Sequence, residues 1–342
     1  MTQSSFEFDT PTPLPEPASS KPAPRRRATA VAAPIPLSPE QMAQRLDQHP
    51  DYRVLRRLVP VWDYGPAPRD AAGQRVLVLD TETTGLSHQV DKIIELAMLS
   101  VMVDANTGMP FGTVEVFEGF EDPGMPIPAI AKEVTGINDE MVQGQRLDDA
   151  QVATFVAQAD LVVAHNAGFD RPFVEARFPA FADKAWACSF ADIDWKAAGA
   201  GSAKLGALAL DQGWFYDAHR AQVDCHALLQ VLARPVGPED QAPKCPTGLG
   251  RLIAAAGSAS FKLRATGSPF DAKDALKARG YRWDGEGKVW YCTLPDQARL
   301  DAELEWLKAE VYGRRAARVE IEALDSQVRY SARPGRLLQQ SL

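Results

Sequence analysis

Three short segments carry the residue types from which a reactive site could be built. In Asp80-Thr81-Glu82-Thr83-Thr84-Gly85-Leu86 two carboxylates stand two residues apart. On a strand such residues point to the same side, so Asp80 and Glu82 can present both groups to one point. Adjacent ionised carboxylates repel unless a cation lies between them, and oxygen donors of this kind suit Mg²⁺ or Mn²⁺. Gly85 permits a sharp turn and close approach of a ligand to the backbone. Taken alone, the pair reads equally well as two solvated acids at a strand end.

The second segment, His165-Asn166-Ala167-Gly168-Phe169-Asp170, follows a buried apolar run and places Asp170 in the first turn of a helix. There it either joins the site or merely complements the helix dipole. The third is His219-Arg220-Ala221-Gln222-Val223-Asp224. Five residues separate His219 and Asp224 by roughly 140° on an ideal helix, so both face one site only if His219 lies in the loose first turn. By itself the pair is a surface histidine and an acid.

The elements that must position these residues are legible from periodicity. Arg75–Asp80 and Leu161–Ala164 are near-continuous apolar runs suited to strands covered on both faces. Ile93–Val103 and Thr113–Phe120 read as an antiparallel pair around Asn106-Thr107-Gly108. Helical patterns cover 128–133, 148–158, the segment with Phe173, Val174 and Ala176, 202–212, and 218–233 with Ala221, Cys225, Leu228, Leu229 and Leu232 on one stripe. Strands followed by alternating strands and helices predict an α/β domain, a mixed sheet flanked by helices.

In order and spacing, Asp80 and Glu82, then Asp170, then His219 with Asp224, resemble the three motifs of the DEDDh 3′-to-5′ exonucleases. The strings LDTETTGL, HNAGFD and HRAQVD look most like the epsilon proofreading subunit of bacterial DNA polymerase III and its free-standing relatives. Val134-Thr135-Gly136-Ile137 resembles the family's loop beside the substrate, with Thr135 where many members have His. The resemblance covers about residues 74 to 233. It implies a ribonuclease-H-like fold and hydrolysis of phosphodiester bonds with two divalent cations, Mg²⁺ or Mn²⁺. Asp80, Glu82 and Asp224 would hold one ion, Asp80 and Asp170 the second, and His219 would take the proton from the attacking water. Thr83, Leu86, Thr135 and Asn166 would contact the terminal nucleotide. The bland alternatives for Thr83, Leu86 and Asn166 are turn formation, core packing and helix capping.

The implied activity is a 3′-to-5′ exonuclease of proofreading or repair type, with DNA the preferred partner and a polymerase a possible one. An exoribonuclease like ribonuclease T or oligoribonuclease uses the same five residue types, so RNA stays open. A non-catalytic nucleic-acid-binding scaffold on the same fold is the reading from another class, and five intact site residues argue against it.

The chain of 342 residues predicts six segments. They are a disordered Pro/Ala-rich tail (1–37) with the Arg25–Arg27 cluster, a helical lead-in (38–70) capped by Ser38, the exonuclease-like domain (71–233), a linker (234–248), a small α/β module (249–312) and a flexible tail (313–342). The net charge is −8, yet from Arg251 to Leu342 there are 16 basic and 12 acidic residues, so that part is near +4 and the rest near −12. A carboxylate site is acidic by necessity, and bound cations reverse its local field. No run of about 18 apolar residues occurs and no signal-peptide pattern opens the chain, which predicts a cytoplasmic location without a membrane span. Cys188, Cys225, Cys245 and Cys292 lie far apart and read as reduced thiols. Cys225 belongs to a core stripe, and Asp192 and Asp194 read as solvated. In the module, Phe261, Tyr281, Trp283, Trp290 and Tyr291 interleave with Lys262, Arg264, Lys273, Lys277, Arg279, Arg282 and Lys288. That mixture is either a small aromatic core or a surface for single-stranded nucleic acid.

Overall fold

A computed structural model describes residues 37–237, 246–313 and 315–342. The expected tail with Arg25–Arg27, most of the expected linker and Cys245 lie outside the described residues. Two units divide the chain, 1–52 and 53–342. In the first, helix α1 (Pro39–Asp47) begins at a capping box: the Ser38 hydroxyl accepts the Gln41 N–H, and the Gln41 side chain accepts the Ser38 N–H. The lead-in is not helical to residue 70. Pro50 disfavours helical backbone at the residue before it, and α1 ends ahead of it.

In the second unit, β1 (Arg56–Arg57) pairs in parallel with β7 (Trp214–Phe215). The main sheet is built from β2 (Gly73–Thr83), β3 (Ile93–Asp104), β4 (Pro110–Phe120), β5 (Leu161–Ala164) and β6 (Ala185–Cys188), in the order β4-β3-β2-β5-β6. β2, β3 and β4 are antiparallel neighbours, whereas β2, β5 and β6 run parallel. Alternation along β2 sends Val76 and Val78 into one core and Leu77 and Leu79 into the other. Helices α6 (Leu205–Asp211) and α7 (Ala221–Leu232) pack over the first face, with Cys225, Leu228 and Leu232 in that core. Helices α4 (Asp149–Gln158) and α5 (Ala167–Arg177) cover the second. Short helices α2 (Ala129–Thr135) and α3 (Asp139–Val142) close a smaller cluster around Ile94 and Ile137. This mixed sheet with helices on both faces is the ribonuclease-H-like arrangement.

Helix α8 (Gly248–Ala256) belongs with the main domain rather than the module, because Leu249 and Leu252 lie in the first core. Its N-cap Thr247 accepts the Gly250 N–H and donates to the Gly108 carbonyl. Gly108 sits at φ +71°, and a Cβ there would collide with the α8 backbone, so only glycine allows this approach.

The module is an antiparallel sheet, β12-β11-β8-β10-β9, formed by β8 (Ser260–Ala265), β9 (Arg282–Asp284), β10 (Val289–Leu294), β11 (Arg318–Leu324) and β12 (Arg336–Ser341). Helices α9 (Lys273–Ala278) and α10 (Gln297–Trp306) contribute Leu276, Leu300 and Leu304 to a core with Phe261, Leu263 and Tyr281. The aromatics therefore divide: Phe261 and Tyr281 are core, while Trp283 is 52% exposed.

The expected flexible tail is a correction. Residues 318–324 and 336–341 supply two strands, and the segment between them straps back onto the main domain. Fully buried Arg171 donates to the carbonyls of Ser326, Gln327 and Arg329 and pairs with Glu175 at 2.6 Å. The Trp186 N–H donates to the Ser326 carbonyl. Buried Arg329 pairs with Asp192 at 3.1 Å and donates to the Ala255 and Ser258 carbonyls. Asp192 is thus a partner in a buried ion pair, not a solvated acid; Asp194 is exposed. Polarity made this segment look frayed, but its Arg329 is buried against the main domain.

Candidate active site

Asp80 and Glu82 continue the β2 row that begins with Val76 and Val78, so they emerge on the face covered by α7. A register shift between Glu82 and Thr83 ends regular pairing there. Carboxylate oxygens of Asp80, Glu82 and Asp224 all lie within 4.8 Å of one another. Asp170, in the first turn of α5 just beyond β5, reaches the same strand end. Its Oδ1 accepts the Thr81 N–H (3.1 Å) and hydroxyl (2.8 Å).

Burial and mutual repulsion dominate the electrostatics. Burial, then Asp170, Asp224, Glu82 and Glu95, push the Asp80 carboxyl well above the ordinary carboxylate range. Burial first, then Asp224, Glu95 and Asp170, push Glu82 up to about 8, against a smaller opposing effect of Arg220. Burial raises Asp170 to about 7 although its Thr81 bonds favour the charged form. Asp224 is raised by burial despite the Tyr216 hydroxyl and the His219 and Arg220 N–H groups. An all-oxygen set that cannot ionise together without a counter-charge fits a hard divalent cation.

His219 lies outside α7, whose N-cap is Arg220. Its backbone is left-handed, at φ +67°, and its N–H donates to Asp224 Oδ2 at 2.7 Å. The positive φ resolves the 140° separation, since the histidine is not on the helix at all. The residue is exposed and flanks the carboxylates.

Several contributors escaped the sequence reading. Tyr216 donates its hydroxyl to Asp224 Oδ1 at 3.0 Å. Glu95 sits opposite Glu82 across the β2–β3 pair, takes Arg220 through both oxygens and accepts the Ala221 N–H at 3.0 Å. A carboxylate inside the otherwise apolar run from Ile93 to Leu99 was the available signal for Glu95. Of the expected nucleotide contacts, Leu86 is 87% exposed, so core packing does not explain it. Asn166 is left-handed at φ +70° with no side-chain cap bond. Thr83 is buried and donates to the Gly85 carbonyl at 2.6 Å. Thr135 is buried, and its hydroxyl donates to the Ala131 carbonyl and accepts the Ile137 N–H. Those local bonds at the end of α2 occupy it.

Residues 77–232 match the family model RNase_T, described as an exonuclease. That segment is an exonuclease-family domain. Over 103 residues, 30% of this chain, the sequence is 39% identical to a DNA polymerase III PolC-type protein of Listeria welshimeri, of which the match covers 7%. Over 127 residues, 36% of this chain, it is 36% identical to the Streptococcus pyogenes DNA polymerase III PolC-type protein, of which 8% is covered. The chain thus spans a small fraction of those relatives. Among solved structures, exonuclease X in complex with 5′-overhanging duplex DNA is 24% identical, with 46% of this chain and 89% of that one covered, at a TM-score of 0.37. The zinc-bound complex of E. coli ExoI with single-stranded DNA is 16% identical, covering 57% and 48%, also at 0.37. The exonuclease domain holds all five residues singled out by spacing. No helix among the described residues is long and apolar enough to cross a membrane.

Proposed function

We propose that the chain is a metal-dependent 3′-to-5′ exonuclease that releases nucleotides from DNA ends, in proofreading or repair. The observation that carries this reading is the convergence of Asp80, Glu82 and Asp224 oxygens within 4.8 Å beside Asp170. Asp80, Glu82 and Asp224 would hold one divalent ion, and Asp80 with Asp170 a second. Bound there, such ions would act as Lewis acids for phosphoryl transfer. The exposed His219 imidazole accepts the proton of the attacking water, a general-base role that its place beside the carboxylates allows. Asp224 orients it by holding the His219 N–H, and Tyr216 fixes the other Asp224 oxygen. Exposed Leu86 and the uncommitted Asn166 side chain would meet the terminal nucleotide, with Thr83 shaping the turn between them. DNA is favoured because the curated relatives are DNA polymerases.

The test uses strands of DNA and RNA labelled at the 3′ or the 5′ end, incubated with Mg²⁺, Mn²⁺ or chelator. The expected result is metal-dependent release of mononucleotides from the 3′ end, faster on DNA, and lost in Asp80→Ala. Release from the 5′ end, or activity surviving Asp80→Ala in homogeneous protein, overturns the reading.

A further inference from the structure

The outward face of the module's sheet has a composition that its fold does not require. In an antiparallel sheet, directly paired residues point the same way. Register aligns Glu320, Arg264, Tyr291 and Arg282 in one row across β11, β8, β10 and β9. The next row is Glu322, Lys262 and Thr293. The helices and the apolar core lie on the other face, with Leu263 and Ile321. Arg282 and Thr293 are exposed, and Lys262, Arg264 and Tyr291 are half-buried. The Lys262 ammonium stands 4.6 Å from the centre of the Tyr291 ring.

Charge on this face is divided. Of the two acids on β11, Glu322 takes Arg264 at 2.7 Å and the Gly335 N–H at 2.7 Å, and Glu320 stands opposite Arg264 in the strand register. Asp284 is occupied by the N–H groups of Glu286 and Gly287 in the hairpin turn. The β10–β9 side keeps Lys262 and Arg282 around the Tyr291 ring. β9 covers only Val289–Tyr291 of β10, and beside the remainder lies a groove of about 400 Å³ lined by Arg279, Arg282, Tyr291, Thr293 and Glu303. Arg279, itself exposed, is held by both Glu303 oxygens, at 2.9 and 3.0 Å, and Arg282 is a second exposed cation of the groove.

We propose that this face, at Arg282, Tyr291, Lys262 and Thr293, binds a single strand of nucleic acid and holds substrate away from the carboxylate site. The inference rests on the exonuclease reading for the identity of its occupant. An aromatic ring offers a base a stacking surface regardless of sequence, and flanking cations follow the phosphates. A folded protein partner is the less favoured occupant because the open side combines cations and a hydroxyl with one ring and lacks an apolar centre. The strap of residues 325–333 bonds this sheet's connecting segment to α5, so the face belongs to the same compact unit as the exonuclease domain.

The experiment measures binding of a labelled single-stranded DNA to the full chain in chelator, where hydrolysis does not intervene. The variants are Arg282→Ala and the double variant Arg282→Ala/Tyr291→Leu, with melting temperatures verifying that each folds. The double variant is expected to bind about tenfold more weakly. Loss of the Arg282 contact is expected to flatten the slope of log affinity against log salt by about 0.7. With metal, KM for long strands rises while kcat, and hydrolysis of a dinucleotide that fills only the carboxylate site, stay unchanged. Unaltered affinity and salt slope in both variants overturn the proposal. So does competition by an extended peptide, with none by nucleic acid, which would make the free β10 edge a strand-pairing site. If the chain binds single strands through these residues yet hydrolyses none, the exonuclease reading fails and this one stands. If it hydrolyses them and the variants bind like the wild type, the reverse holds.

Discussion

At the scale of single residues, the crowded carboxylates repel one another, a strain that a bound cation would relieve. Glu82 is raised to about 8 and Asp170 to about 7, each first by burial. A group raised in the folded state stabilises that state at low pH and loses this contribution as pH rises through its folded value. In chelator, stability should therefore fall between about pH 4 and pH 8. Asp80→Asn removes one buried charge and should melt about 2–8 °C above wild type at pH 8 without metal, for a relief of about 1–2 kcal/mol. The difference should shrink near pH 5, and added Mg²⁺ should raise the melting temperature of wild type far more than that of the variant. A less stable Asp80→Asn at pH 8 in chelator would refute this account. His219→Asn separates the imidazole from its turn, because Asn tolerates left-handed backbone. Its kcat should drop about 10²–10⁴-fold with metal affinity retained, as measured by activity and metal titration side by side. Alternation in the sequence revealed Asp80 and Glu82. It could not reveal Tyr216 or Arg220, whose roles depend on a left-handed residue at 219 and on a strand, β3, more than a hundred positions away.

At the scale of elements, α5 connects the site to the rest of the fold. It presents Asp170 on one side and Arg171 on the other, and Arg171 is buried against carbonyls of the 325–333 strap. Replacing Arg171 by Ala empties a fully buried side-chain site and takes the donor from the Arg329 carbonyl, while Glu175 keeps Ser331 and Arg333, a loss of about 3–5 kcal/mol. That corresponds to a melting temperature lower by about 6 °C or more in the full chain, read by calorimetry. A variant melting within about a degree of wild type would show the strap to be ornamental. β2, β3, β5 and α7 were readable because long apolar runs and a clear helical stripe leave few alternatives. β6 was not, since Ala-Trp-Ala-Cys is too short for a period to emerge. β11 alternates Val319, Ile321 and Ala323 with charged residues, but Glu320 and Glu322 made it resemble a solvated tail. Their register opposite Arg264 and Lys262 appears only once the strands pair.

At the scale of the whole molecule, two sheets with separate cores sit in one compact unit, and composition had already separated them by charge. What composition could not show is that the segments interlock: α8 follows the linker in sequence yet completes the first core, and the strap follows the module yet lines α5. That order has a consequence during synthesis. Arg171 and its acceptor Arg329 are 158 positions apart. At about 5–20 residues per second, the ribosome needs roughly 8–30 s to make that stretch. Throughout that interval Arg171 has Glu175 and the Ala182 carbonyl within its own domain but lacks its acceptors in the strap, so this part of the interior is covered only after the module has emerged.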